Sequence, residues 1–165
     1  MDPTSPEVQA ELTRRHKAAA TTVVGLMVAT VLLSIVAFLS KPYLREQANP
    51  PLEFALQIVI LVLGLGAVIW RRTKLATMRL QDIVGLAGPS GLLKALEKTT
   101  LQIALLGAGI ALAGFIGTLA MGSEGYTYWA GVIALVVFLY SYPRKSFWRR
   151  VLDWFTKPPD EAPTT

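Results

Sequence analysis

A helical membrane protein is the fold class the sequence predicts, and three observations carry it. Hydrophobic residues make up 53% of the 165-residue chain, above the roughly 45–50% apolar share of soluble domains, a share that already counts glycine. Four apolar runs, 18–39, 52–70, 99–121 and 126–142, reach or approach the about 20 helical residues needed to cross a hydrocarbon core of about 30 Å. Positive charge is sorted to one side of these runs. The expected architecture is all-α, with four transmembrane helices in two hairpins, both termini cytoplasmic, and amphipathic interfacial helices on the cytoplasmic side.

No run carries Asp, Glu, Lys, Arg or His in its central part. Of the 16 Lys and Arg residues, only Lys41 and Arg45 fall between the first and second runs and none between the third and fourth. The others precede the first run, lie within 71–98 or follow the fourth, and the positive-inside rule makes those segments cytoplasmic. A bacterial inner membrane fits this pattern. The net charge of +5 is therefore read as topology; with no aromatic-interleaved basic surface, a nucleic-acid partner is not expected. The chain has no cysteine, which removes disulfides, thiolate metal sites and thiol nucleophiles.

Residues 1–17 read as a cytoplasmic amphipathic helix. In "TSPEVQAEL", Thr4 and Glu7 stand at capping-box spacing, or Ser5 is the cap, and Pro6 suits a first turn. This charged lead and the long core behind it argue against a cleavable signal peptide. The first outer loop, "KPYLREQANPP", is turn-rich, and Pro50 and Pro51 restart the chain at the second run. That run is mostly Leu, Ile and Val, and Gly64 and Gly66 are its only glycines, as suits a lipid-facing helix.

The inner loop 71–98 contains two amphipathic pieces broken at "GPSG". Leu75, Met78, Ile83 and Leu86 predict a first piece lying on the membrane surface. Leu92, Leu93 and Leu96 predict a second, capped by Ser90, that extends span three. Gly122 ends span three, and the tight turn "GSEGY" makes spans three and four antiparallel neighbours. Tyr126, Tyr128 and Trp129 then open span four as an aromatic belt. Residues 143–157 form a further amphipathic helix, with Phe147, Trp148, Val151, Leu152, Trp154 and Phe155 opposed by Arg149, Arg150 and Asp153. Phe147, Trp148, Arg149, Arg150, Trp154 and Phe155 are its expected contacts with lipid headgroups or a partner subunit. Residues 158–165 read as a disordered tail.

Span three contains "GAGIALAGFIG". No strand precedes it and no Lys-Ser or Lys-Thr pair follows, so a phosphate loop would lack its context. At helical spacing Gly107, Ala111, Gly114 and Thr118 share one face, and Gly109, Ala113 and Gly117 a neighbouring one, the small-xxx-small pattern of close helix packing. These small residues are the candidate interface, against span one or four within the chain or against another subunit. The part "GAGIALA" resembles the alternating-glycine motif in proton-carrying ring subunits of rotary ATPases, whose hairpins are sometimes duplicated to four spans. Here Thr21-Thr22 and Thr99-Thr100 each open a hairpin, and "WRRTK" and "YPRKSFWRR" each close one. The resemblance implies a carboxylate in mid-membrane, and "LQIVILVLGLG" and "AGVIALVVFLY" have none, so proton carriage is not expected.

Polar groups near the spans are few. Glu53 and Gln57 lie one turn apart at the outer start of span two, and Gln102 near the inner end of span three. Glu53 is read as a headgroup-level side chain and Gln57 as a cross-helix hydrogen bonder, the alternative being a small polar vestibule shared with Lys41, Arg45 and Glu46. His16, the single histidine, sits among Arg14, Arg15 and Lys17 and reads as an interfacial side chain, so a haem held by two histidines is excluded. A small multidrug-type exporter would need a glutamate within its first span, and "TTVVGLMVATVLLSIVAFL" has none. No nucleophile, acid–base pair or metal cluster stands at workable spacing, so neither enzymatic activity nor a cofactor is expected. The expected function is that of an accessory, assembly or stabilising subunit whose partners are membrane lipids and other membrane subunits or a second copy of itself. The alternative is an oligomeric transporter or channel for an uncharged or apolar solute, with Thr30, Ser34, Gln57, Gln102 and Thr118 lining its path.

Overall fold

The computed structural model of the protein describes residues 5–43, 50–75, 77–123 and 125–156. The five helices are α1 (Pro6–Ser40), α2 (Pro50–Lys74), α3 (Thr77–Met121), α4 (Gly125–Ser141) and α5 (Lys145–Thr156), with a single 3-10 turn, Lys41–Tyr43, following α1. By length and apolarity α1, α2 and α3 each suffice to cross a membrane; α4 and α5, bent by 43° at their junction, make a fourth candidate as a pair. Thr4, the loop residues 44–49 and the tail 158–165 lie outside the described residues.

Local chemistry sets the helix limits. Ser5 Oγ accepts a hydrogen bond from the Val8 amide at 3.5 Å, so Ser5 caps α1 and Pro6 occupies the first turn, where a missing N–H costs nothing. Inside α3 the helix breaks at Gly88 (φ 64°, ψ −168°), a conformation open essentially to glycine alone, and Pro89 restarts it. Ser90 does not serve as the expected cap; its hydroxyl donates instead to Glu11 of α1 at 3.0 Å. Gly122 (φ 74°) stops α3 in the left-handed conformation, and its amide reaches back to the Thr118 carbonyl at 2.8 Å.

Helix α3 is the central element, touching α1, α2, α4 and α5. As expected from the short connection after Gly122, α3 and α4 make a packed hairpin. The first expected hairpin is not one: among the described residues α1 and α2 make no contact and flank the α3–α4 pair separately. The physical reason is loop length, since the connection after α1 is long enough to cross the end of the bundle. Leu, Ile, Val and Phe side chains stand exposed along α1 from Val24 to Leu39 and along α2 from Leu52 to Ile69, an apolar surface suited to lipid.

Two hydrophobic cores are stacked along the bundle. One joins Val23, Ile60, Ile103, Ile110, Val137 and Phe138 within the apolar runs. The other joins Val8, Leu12, Leu80, Leu92, Leu96, Trp148 and Leu152 at the basic end. Helix α1 has 35 residues, roughly 52 Å at 1.5 Å per residue, well beyond a hydrocarbon core of about 30 Å. Its amino-terminal turns and the corresponding surplus of α3 project together, and α5 folds back to cover them.

Candidate functional site

The small-residue face of α3 is consumed within the chain. A Cβ placed on Gly107 would stand 3.1 Å from Phe138 Cε1 and 3.3 Å from Val137 Cγ1 of α4. One on Gly114 would run into Ala130 Cβ and come within 2.8 Å of the Tyr126 carbonyl oxygen. Ala111 is buried on the same face. Of the neighbouring face, Gly117 abuts Leu56 of α2, Ala113 is half-buried, and Gly109 has nothing within 4 Å. Close approach of α4 is thus what the glycines permit, and Gly109 alone of the six remains open to an outside helix.

Ser34, Thr118 and Thr127 have locally bonded hydroxyls, whereas the buried Thr30 hydroxyl has no hydrogen bond among the described residues. Ser34 Oγ donates to the Thr30 carbonyl at 3.1 Å. Thr118 and Thr127 share a 2.8 Å bond between their hydroxyls across the α3–α4 hairpin, and the Thr127 amide donates to Thr118 Oγ1 at 3.1 Å. Glu53, Gln57, Ser123 and Tyr126 line a cavity of about 460 Å³ between α2 and α4, together with the apolar side chains of Ile60, Leu61 and Ile133. Tyr126 is buried there rather than standing in the expected aromatic belt, which leaves Tyr128 and Trp129 exposed. Gln102 is half-buried at the other end of α3, remote from this cavity. The proposed vestibule partners Arg45 and Glu46, and the side chain of Lys41, lie outside the described residues.

At the basic end the expected interfacial surface of α5 needs correction. Trp148 is 2% exposed and packs into the second core with Val151, Leu152 and Phe155, whereas Trp154 is 75% exposed. Residues 148, 151, 152 and 155 form one helical face, i, i+3, i+4 and i+7, and find their apolar partners within the chain. Phe147, Arg149, Arg150 and Trp154 remain outward. The first piece of α3 is likewise not simply laid on a surface, since Leu80 and Val84 join the core while Leu86 stays 91% exposed.

A polar clamp fastens this region. Arg15 donates to Glu11 at 2.8 Å and to Glu97 at 2.6 Å, tying α1 to α3. The bond from Arg15, assisted by Ser90, holds the Glu11 carboxyl below its ordinary value against the opposing effect of burial. His16 Nε2 meets the Pro143 carbonyl oxygen at 2.8 Å, and its ring lies edge-on to Trp148 with centroids 5.7 Å apart. The histidine read as an interfacial side chain is therefore also a structural link from α1 to the α4–α5 junction.

Arg71, Arg144 and Arg150 converge on a hollow of about 380 Å³ where α2, α3 and the α4–α5 junction meet. Sequence reasoning used Arg71 and Arg144 only as topology markers and Arg150 as a headgroup or partner contact on α5, and did not bring the three together. The missed signal is that "WRR" at the end of span two and "YPRKSFWRR" at the end of span four must reach the same side of a bundle whose even-numbered spans run parallel. No family model, curated protein or solved structure matches the chain.

Proposed function

We propose that this is a four-span integral membrane protein of a bacterial inner membrane, with both termini cytoplasmic, acting as a non-catalytic accessory, assembly or stabilising subunit of a larger membrane complex. In this reading α1, α2, the Pro89–Met121 part of α3 and α4 cross the bilayer, and the second core forms a small cytoplasmic cap. The observation that carries the proposal is the disposition of polar groups. The hydroxyls of Ser34, Thr118 and Thr127 are bonded locally, the cavity between α2 and α4 is lined largely by apolar side chains, and guanidinium groups collect at one end. A single-chain solute path would instead need those hydroxyls aligned on a continuous hydrated route.

Gentle extraction of the native protein, followed by mass determination and identification of co-purifying subunits, tests the role. Recovery in fixed ratio with other subunits is expected, and Gly109→Leu weakens that association without unfolding the chain because its surroundings are open. Recovery solely as a homo-oligomer, with solute flux through reconstituted vesicles, would transfer the assignment to transport. For topology, a cysteine replacing Ser123 is expected to react with a membrane-impermeant thiol reagent added outside intact cells; labelling only after lysis would reject the orientation.

A further inference from the structure

Three guanidinium groups lining one hollow without a carboxylate partner call for an anion. Among the described residues, the salt bridges involve Arg15 with Glu11 and Glu97, and none involves Arg71, Arg144 or Arg150. Arg71 stacks over the Tyr140 ring at 4.4 Å from its centroid, which orients the guanidinium while leaving its N–H edge free to donate. Thr99 also lines this hollow. It is 8% exposed and, unlike that of Thr100, which donates to the Leu96 carbonyl at 2.9 Å, its hydroxyl makes no hydrogen bond to any described residue. A buried hydroxyl left without a partner is costly, and a bound anion oxygen would satisfy it.

A second hollow indicates what the anion is attached to. Between α1 and α4 runs a groove of about 540 Å³ with an entirely apolar lining that includes Met27, Val28, Val31 and Leu135. It shares Leu139 and Tyr142 with the basic hollow. An apolar groove opening beside a cluster of arginines at the end of membrane-crossing helices has the chemistry of one amphiphile, with a phosphate at one end and a hydrocarbon chain at the other. We infer that Arg71, Arg144, Arg150 and Thr99 bind the phosphate of an acidic phospholipid, one of whose acyl chains lies in the α1–α4 groove. Bidentate arginine donors suit phosphate oxygens, and a zwitterionic headgroup would bring its own cation against the cluster. This site rests on the membrane placement proposed above but not on the accessory role.

The test uses the full chain in a neutral detergent, with bound lipid counted by native mass spectrometry after addition of phosphatidylglycerol or of phosphatidylcholine with the same acyl chains. Phosphatidylglycerol is expected to be retained at one per chain with at least about a tenfold preference, in keeping with headgroup attraction to several basic side chains. Replacing Arg71, Arg144 and Arg150 together by Gln removes the preference, whereas the pair Arg72→Gln and Arg149→Gln, outside the hollow, keeps it. If the triple variant misfolds, Arg144→Gln and Arg150→Gln, both at exposed positions, are expected to lower it singly. Val28→Trp, filling the groove from an exposed position, lowers phosphatidylglycerol retention too. Inorganic phosphate is the competing probe and is not expected to displace the lipid at millimolar concentration. Equal retention of the two lipids, an unaltered preference in the arginine variants, indifference to Val28→Trp, or displacement by inorganic phosphate would each overturn the lipid assignment. The labelling at position 123 tests the orientation separately, because lipid retention in detergent does not depend on it.

Discussion

Gly109 and Gly114 belong to one glycine-rich run and meet opposite surroundings. At Gly114 the obstruction includes the backbone of Tyr126, which cannot rotate away, so Gly114→Ala is expected to destabilise the fold by about 1–3 kcal/mol, the usual range for overpacking. At Gly117 the obstruction is the end of the Leu56 side chain, which can change rotamer, and the same substitution costs less. Gly109→Ala meets nothing and is expected to be neutral or slightly stabilising through helix propensity. Unfolding titrations in mixed micelles order the three; a larger loss at position 109 than at 114 would mean that α4 does not pack on this face. Sequence spacing could group Gly107, Ala111, Gly114 and Thr118 on one face, because period alone decides which residues are neighbours on a helix, but it left out Ala104, which is buried one turn before Gly107. It could not say which members were already covered, since that depends on where α4 and α2 land.

Helix α5 shows the same limit at the scale of an element. Its amphipathic pattern was legible, but its apolar partner was sought in lipid or in another subunit rather than within the chain. The missing counterpart was in plain sequence: Val8 and Leu12 at i and i+4 in the lead of α1, and Leu92 and Leu96 in the lead of span three, each on a helix longer than a bilayer needs. Trp148 is among the largest fully buried side chains of the molecule and contacts His16, so Trp148→Ala is expected to cost about 3–5 kcal/mol. Protease should then cut near the α4–α5 junction while leaving the spans intact, whereas Trp154→Ala, on an exposed residue, should change neither stability nor cleavage. Equal effects of the two substitutions would place the core face of α5 elsewhere.

For the whole molecule, the spans, the α3–α4 turn and the break beside Pro89 were legible because hydrophobic length, glycine and proline act locally. The separation of α1 from α2, the second core and the convergence of Arg71 with Arg150 were not, since each depends on how distant segments meet. The Glu11–Arg15–Glu97 clamp gives the assembled bundle an acid limit. Glu11 has a lowered folded-state pKa, so its contribution to stability is present above its ordinary value of 4.5 and is lost as pH falls through the lower folded value. Thermal melts in detergent are expected to show a drop below that pH that is smaller in Glu11→Gln; an unchanged acid profile in that variant would remove the clamp from the account. The lack of contact between α1 and α2 also bears on how the protein is made. If the two helices enter a bilayer in succession, as the proposed topology requires, neither has a surface in the other to recognise among the described residues, and each persists alone in lipid until the α3–α4 hairpin arrives between them. The contacts of the first half of the chain are therefore written largely in the second half. A ribosome halted before Lys145 would hold a nascent chain in which Val8, Leu12, Leu92 and Leu96 of the second core still lack the cover that α5 supplies.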